Sequence, residues 1–460
     1  MNIDEVLQLM QAVPDYQTFM TVDELDDSAR ALAARFPDVV ELLPLGHSRQ
    51  GSPITALKIG SGSRKGLLFA NPHPNEPIGS LMLEFLTTRL AEDPALRDRL
   101  DYTWYIVKCI DVDGTRLNEG WFKGPFSITH YARHFYRPPG HLQVEWTFPI
   151  DYKNLHFCEP LPETQALMKL IEDVRPEFIY SLHNSGFGGV YAYLSHDIPA
   201  YYPDFYRVVA SQCLPLHLGE AEVPYARTFS KAIFGTLSIE RAYDFLEENG
   251  SAHPEAVIRS GASSFAYACR FGDPLAIVCE MPYFYNPAIH DTSPSGMIRR
   301  EAVLTGLKQA REHADRFRRQ YDGIREYLTV ESPFRDTLEA TLAQQDGYLA
   351  AQENWAASDP ALEAEATVAE KFDNLLVRRF YDLLSTGMFV RMIQAEVQAS
   401  GEKPALLSAL GTMEQMFADE AAALEQAMPY EVIPIQKLVR VQLGAGLLYA
   451  DQVHHYRDEQ

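Results

Sequence analysis

The chain has 460 residues, 46% hydrophobic and 22% charged, with a formal net charge of −23 at pH 7. This is an ordinary globular composition, long enough for about two or three domains. A surface so acidic repels nucleic acid and anionic lipid, so neither is expected as a partner.

In chain order, Thr21 opens a helix with Glu24 three residues on, a capping box. Leu25, Ala29, Leu32 and Phe36 share its apolar face. Residues 39–45 and 54–59 read as strands joined by the polar turn His47-Ser48-Arg49-Gln50-Gly51-Ser52. An apolar run over 66–70 is a buried strand that breaks at Pro72 and Pro74. A helix follows from Pro77 through Leu81, Met82, Phe85, Leu86 and Leu90. Residues 102–110 form another apolar strand, ending at the turn signal Asp113-Gly114.

Residues 115–150 are rich in aromatics, Pro and Gly, with little periodicity, and read as a long loop packed around a site. A helix starts at Pro162. The strand over 178–182 runs into His183, and 190–194 is a further strand. Residues 198–250 read as mainly helical. The small-residue loop Ser260-Gly261-Ala262-Ser263-Ser264 precedes a strand over 275–279 that ends at Glu280. From about Ser293 strand signals give way to Ala, Leu, Glu, Arg and Gln, and helices fit 334–356, 360–386, 388–399, 403–427 and 433–458. The five cysteines are scattered and odd in number, which suggests a reducing compartment. No signal-peptide pattern and no run of about 18 apolar residues is visible, so a cytoplasmic location is expected.

His73 and Glu76 fall at the carboxyl end of a strand, where open α/β sheets place ligands. Their spacing sets an imidazole beside a carboxylate, a donor pair for a cation such as zinc. His183 ends a second strand and completes two nitrogens and one carboxylate, the ligand count of a catalytic zinc with a position left for water. Glu280 ends a third strand and is a candidate general base.

These pieces, in this order, resemble the zinc metallocarboxypeptidase family, the carboxypeptidase A/B-like peptidases. The resemblance spans roughly residues 15 to 290. It is carried by Phe19-Met20-Thr21-Val22-Asp23-Glu24-Leu25, by Gly46 to Ile54, by His73-x-x-Glu76 and Asp113-Gly114, and by Pro162-Glu163-Thr164, His183, Ser260 to Ser263 and Glu280. It implies an α/β fold: a mixed central β-sheet of about eight strands flanked by helices, with zinc at the carboxyl ends of central strands. To this the helical periodicity adds a C-terminal all-helical region, giving a catalytic domain over 1–295 and a helical domain over 296–460. The resemblance also implies Zn2+ as cofactor, His73, Glu76 and His183 as its ligands, and Asp151 orienting the first histidine. Glu280 is then the glutamate that deprotonates the attacking water and passes the proton to the leaving amine. Counting back from Asp151, Arg137 is the arginine that stabilises the oxyanion, ahead of Arg133 and Arg116.

Two departures stand out. Where the family follows its aspartate with an Asn-Arg pair for the substrate carboxylate, this chain has Tyr152-Lys153-Asn154, and Lys153 offers a point charge in place of a bidentate fork. The family's substrate-capping tyrosine is absent, with Val257 near its place and Arg259 beside it. Ser264, near the expected pocket floor with Phe265, is small and neutral and predicts no strong demand for a basic side chain.

The expected activity is hydrolysis of a C-terminal peptide bond. The alternative is a zinc amidase or deacylase acting on a small N-acyl amino acid or peptide-like metabolite. A non-catalytic binding protein on the same fold is the third reading. The expected partners are a peptide or peptide-like substrate and a second copy of the chain through the helical region.

Overall fold

The computed structural model describes residues 1–458. Nine strands form the central sheet: β1 (Val40–His47), β2 (Pro53–Ile59), β3 (Arg64–Ala70), β4 (Tyr102–Val107), β5 (Phe178–Leu182), β6 (Tyr191–Leu194), β7 (Thr228–Ser230), β8 (Ile233–Gly235) and β9 (Leu275–Glu280). Their spatial order is β1-β2-β4-β3-β5-β9-β6-β8-β7. The middle of the sheet, β4-β3-β5-β9, is parallel; β1, β2 and β4 pair antiparallel on one flank, and on the other β6 is antiparallel to β9, β8 parallel to β6 and β7 antiparallel to β8. A mixed sheet between helices is the α/β class expected.

The central strands are apolar on both faces because helices cover both. These are α1 (Ile3–Gln11), α2 (Val22–Arg35), α3 (Ile78–Glu92), α4 (Val112–Phe122), α5 (Ile128–His134), α6 (Pro162–Val174), α7 (Tyr202–Ser211) and α8 (Ile239–Glu248). Gly79 lets α3 lie against β5, since a Cβ there would stand 2.5 Å from that of Leu182.

The stretch 115–150 is not one long loop. The Asp111 carboxylate caps α4 by accepting from Gly114 N–H, and Ser127 caps α5. Its aromatics are core: Trp121, Phe122, Tyr131 and Phe148 are buried. Residues 198–250 are also less helical than their composition suggests, because β7 and β8 lie between α7 and α8.

After β9 come α9 (Arg299–Ile324), α10 (Pro333–Ser358), α11 (Arg378–Ser400), α12 (Pro404–Ala427) and α13 (Ile435–Asp458). The helix expected over 360–386 does not start at 360. Pro360–Glu363 is a short 3-10 turn, and Glu365–Thr367 pairs as a strand with Pro294–Ile298. A Thr367/Glu370 capping box then starts a helical run that passes through a π-helical segment, Asp373–Val377, into α11. That run does not break near 387 as the reading of the sequence had it.

These helices share one apolar core with the sheet. α13 lies on β5 and β9. Tyr180 Oη donates to Gln442 O at 3.0 Å, and Tyr201 and Tyr102 donate to Ala445 O and Ala450 O. Gln442, fully buried, donates through Nε2 to His183 O at 2.7 Å and to Cys279 O at 3.3 Å. No helix of the described residues is long and apolar enough to cross a membrane.

Two tests follow from this packing. A Cβ on Gly446 would stand 2.2 Å from the Tyr180 ring, so Gly446→Leu should cost about 1–3 kcal/mol by overpacking, read as a lower denaturant midpoint. Burial pushes the Asp111 carboxyl up from 3.8 to about 7 against the pull of Arg49 and the Gly114 N–H. The folded chain then holds that proton where the unfolded chain releases it, so this group's contribution falls as pH rises from about 4 to 7. Asp111→Asn should flatten that decline in a comparison of urea midpoints across the range.

Candidate active site and metal centre

The site is built where three neighbouring parallel strands, β3, β5 and β9, end side by side. After β3 the chain turns through Asn71, buried at φ +54, a conformation asparagine tolerates better than most residues. Its side-chain oxygen accepts from Ser80 Oγ. His73 and Glu76 follow. Tyr283 Oη donates to Asn75 O at 2.9 Å, and Asn75 Nδ2 donates to Tyr131 Oη at 3.2 Å. Ile78 N–H, at the start of α3, donates to Asn184 Oδ1 at 3.1 Å and so ties the β3 turn to the segment after β5.

His73, Glu76 and His183 are all buried and their donor atoms face one another. His73 Nδ1 lies 3.1 Å from Glu76 Oε1 and 3.0 Å from His183 Nδ1. His183 Nδ1 lies 3.0 Å from Glu76 Oε2. A tetrahedral ion with bonds of about 2.0 Å sets its donors about 3.3 Å apart, so the set fits zinc with little adjustment. Burial, reinforced by the Arg137 charge, pushes His73 down to about 3, which keeps the imidazole in its neutral, ligating form. Burial pushes Glu76 up, but the histidines and Arg137 outweigh it and hold the carboxylate below its ordinary range.

Behind His183 runs a relay that no motif announced. Ser181 Oγ donates to Glu145 Oε2 at 3.0 Å and stands 2.8 Å from His183 Nε2. With the serine proton committed to Glu145, its lone pair receives the Nε2 proton, and Nδ1 is left bare toward the metal position. Glu145 is fixed from its other side by Ser264 N–H at 3.1 Å and Ser264 Oγ at 2.9 Å.

Glu280 is buried on the same cavity, and its Oε2 has no hydrogen-bond partner. Burial first, then the charges of Glu222 and Glu76, raise it well above the ordinary carboxylate range, with Arg137 opposing. Arg137 reaches the ligand set, donating to Glu76 Oε1 at 2.9 Å and to His73 Nδ1 at 2.9 Å. The other arginines considered lie elsewhere, Arg116 paired with Asp23 and Arg133 with Glu414.

The structure does not bring Asp151, Lys153 or Asn154 to the site. They sit on a surface hairpin, Ile150–Tyr152 with Leu155–Phe157. The Asp151 side chain is 83% exposed and pairs with His156, not with His73. Lys153 forms 2.7 Å ion pairs with Asp244 and Glu247 on α8, and Asn154 is exposed in the turn. Between α5 and that hairpin the chain runs through two short 3-10 turns, Gly140–Leu142 and Val144–Trp146, where no period fixes which side chains face inward. Glu145, inside that irregular stretch, is the carboxylate that stands behind a ligating histidine.

The cavity in front of these groups has a volume of about 600 Å³. Ser264 and Phe265 line it, as expected, although the Ser264 hydroxyl is committed to Glu145. It also has walls that the sequence did not signal: Tyr191 and Tyr193 from β6, Glu222 from the segment before β7, and Arg378 and Tyr381 from α11.

Glu145→Gln and Ser181→Ala should each weaken zinc binding about 10–100-fold, the usual weight of a group that orients a ligand. Asp151→Asn should leave it unchanged. Competition with a chromogenic chelator measures both.

Residues 25–213 match the zinc carboxypeptidase family. No curated protein sequence matches the chain. Among solved structures, the carboxypeptidase A of Helicoverpa armigera is 12% identical over 77% of this chain and 80% of its own, with a TM-score of 0.37. Bovine thrombin-activatable fibrinolysis inhibitor is 12% identical over 57% and 86%, with a TM-score of 0.36. A metallo-carboxypeptidase from Burkholderia cenocepacia is 16% identical over 57% and 60%, with a TM-score of 0.32. At such identities and TM-scores the assignment rests on the sequence match. Through residues 25–213 the chain is similar to the zinc carboxypeptidase family, and it carries a His/Glu/His donor set at the ends of its central strands.

Proposed function

We propose that this protein is a zinc-dependent carboxypeptidase that removes the terminal residue of a peptide, with His73, Glu76 and His183 holding the metal and Glu280 as general base. One observation carries the reading: a buried carboxylate without a partner faces the same cavity as two imidazoles and a carboxylate whose donor atoms converge. When bound, zinc supplies a Lewis acid and lowers the pKa of water. The chain's own residues do the rest. Glu280 Oε2, free of other hydrogen bonds, accepts a proton from the attacking water and returns it to the amine as the C–N bond breaks. Arg137 donates to the carbonyl oxygen as charge develops there. The Glu145–Ser181–His183 relay fixes one ligand's tautomer while this happens.

One feature favours the amidase or deacylase reading as second choice. Lys153 and Asn154 are committed to the surface, so the residues expected to hold a free C-terminus do not face the cavity. The arginines lining it, among the described residues, are Arg137 and Arg378.

Zinc-loaded protein offered peptides with free and with amidated C-termini should remove one residue from the free acids only, and Glu280→Gln should abolish turnover while retaining one zinc per chain. Mass spectrometry reads the products. Cleavage of N-acyl amino acids with no cleavage of peptides transfers the assignment to the second reading, and turnover that survives Glu280→Gln removes this glutamate from the mechanism.

A further inference from the structure

The acidic groups along the far wall of the cavity are nearly all matched by a cation. Glu220 is paired with Arg299, which donates through Nε at 3.0 Å. Asp373 accepts from Glu220 N–H at 2.8 Å and stands 3.1 Å from His217 Nε2. Asp382 faces His313 at 3.9 Å. Arg378 has Asp382 and Asp373 as its charged neighbours. Glu222 differs. It is exposed, has no ion pair among the described residues, and is approached by the neutral hydroxyls of Tyr191 and Tyr193.

Around Glu222 the wall is aromatic. Tyr191 and Tyr193 stand on one face of β6, ring centroids 5.9 Å apart. Tyr193 is buried and lines the cavity, with its hydroxyl close to the Glu222 carboxylate. Tyr381 comes from α11 and is 46% exposed, a large aromatic ring with one face on the cavity. The segment bearing Glu222 is held in place through Asp373 and Arg299, which belong to the helical stretch. A carboxylate without a counter-charge, set among tyrosine rings, recognises an organic cation by charge-assisted hydrogen bonding and cation–π attraction. A second metal ion is not indicated. Among the described residues, the one cluster of donors fit for an ion is His73, Glu76 and His183.

We propose that Glu222, with Tyr191, Tyr193 and Tyr381, forms a subsite for an ammonium or guanidinium group of the substrate beside the metal centre. The subsite rests on the hydrolase reading above and reverses the expectation drawn from Ser264 that a basic side chain earns no preference. It also gives the helical stretch a part in selectivity, since Tyr381 supplies one wall and Asp373 and Arg299 position the acid.

Near-isosteric pairs that differ in charge test it. Hippuryl-arginine against hippuryl-citrulline puts the cation on the leaving residue. Nα-acetyl-arginyl-phenylalanine against its citrulline counterpart puts it on the acyl side. In one of the two pairs the cationic member should have a kcat/KM about tenfold or more above the neutral one, the weight of one charge-assisted contact. That ratio should fall to near 1 in Glu222→Gln and persist in part in Glu222→Asp, with zinc content and melting temperature checked for each variant. Calorimetric titration of the zinc-loaded protein with Nα-acetylarginine methylamide and its citrulline counterpart reads the subsite without turnover. About tenfold tighter binding of the cation that is lost in Glu222→Gln upholds the subsite even if no peptide is cleaved, and in that case the carboxypeptidase reading alone falls. Hydrolysis with ratios near 1 in both pairs, or a preference that survives Glu222→Gln, overturns the subsite and leaves the hydrolase reading standing.

Discussion

Two imidazole nitrogens and a carboxylate oxygen lie within about one hydrogen-bond length of each other in a buried place, and this convergence governs the molecule. Buried polar groups are costly unless matched, so each must be satisfied by a partner behind it or a ligand in front of it. The solution is geometric. Three parallel strands end together, each end delivers one or two groups, and turns stiffened by neighbours hold them. Asn71 turns the first strand, Asn184 ties the second to α3, and a packed set of aromatics, Trp121, Tyr131 and Tyr283, stands behind the loop that carries Asn75 and Glu76.

The C-terminal helices belong to this arrangement. Gln442 reaches from α13 to the main-chain oxygens of His183 and Cys279, one a metal-ligand candidate and the other the residue before Glu280. One amide therefore satisfies two strand ends that would otherwise present buried carbonyls without partners. α11 acts on the other side, where Tyr381 and Arg378 close the cavity. The sheet supplies the reactive groups, and the helical stretch supplies part of the wall around them.

Much of this could be read from residues alone, for reasons that are local. Short apolar strands followed by a histidine or glutamate and then a turn are short-range patterns, and they put His73, Glu76, His183 and Glu280 at or just beyond the carboxyl ends of β3, β5 and β9, where the structure has them. Arg137 was reached by counting, and it lies against the ligand set. Asp151, Lys153 and Asn154, placed by resemblance to the family, lie instead on a surface hairpin, because the stretch between α5 and the hairpin follows no period that fixes which side chains point inward. Glu145 had no signature, since a lone glutamate in irregular chain reads as solvent-exposed. The walls from α11 were invisible for a different reason. Tyr381 and Arg378 are separated from Glu280 by about a hundred residues, and nothing in a helical periodicity states which cavity its polar face will line.

The bond from Gln442 has a consequence in time. A chain is synthesised from its amino terminus, and α13 is made after every strand of the sheet. Until it docks, the ends of β5 and β9 lack the amide that joins them, Tyr180 lacks its acceptor, and the apolar core has an open side. His73, Glu76, His183 and Glu280 are all present in the growing polypeptide well before their strands are held in register. A chain cut before α13 therefore carries His73, Glu76, His183 and Glu280 without the amide that ties two of their strands together.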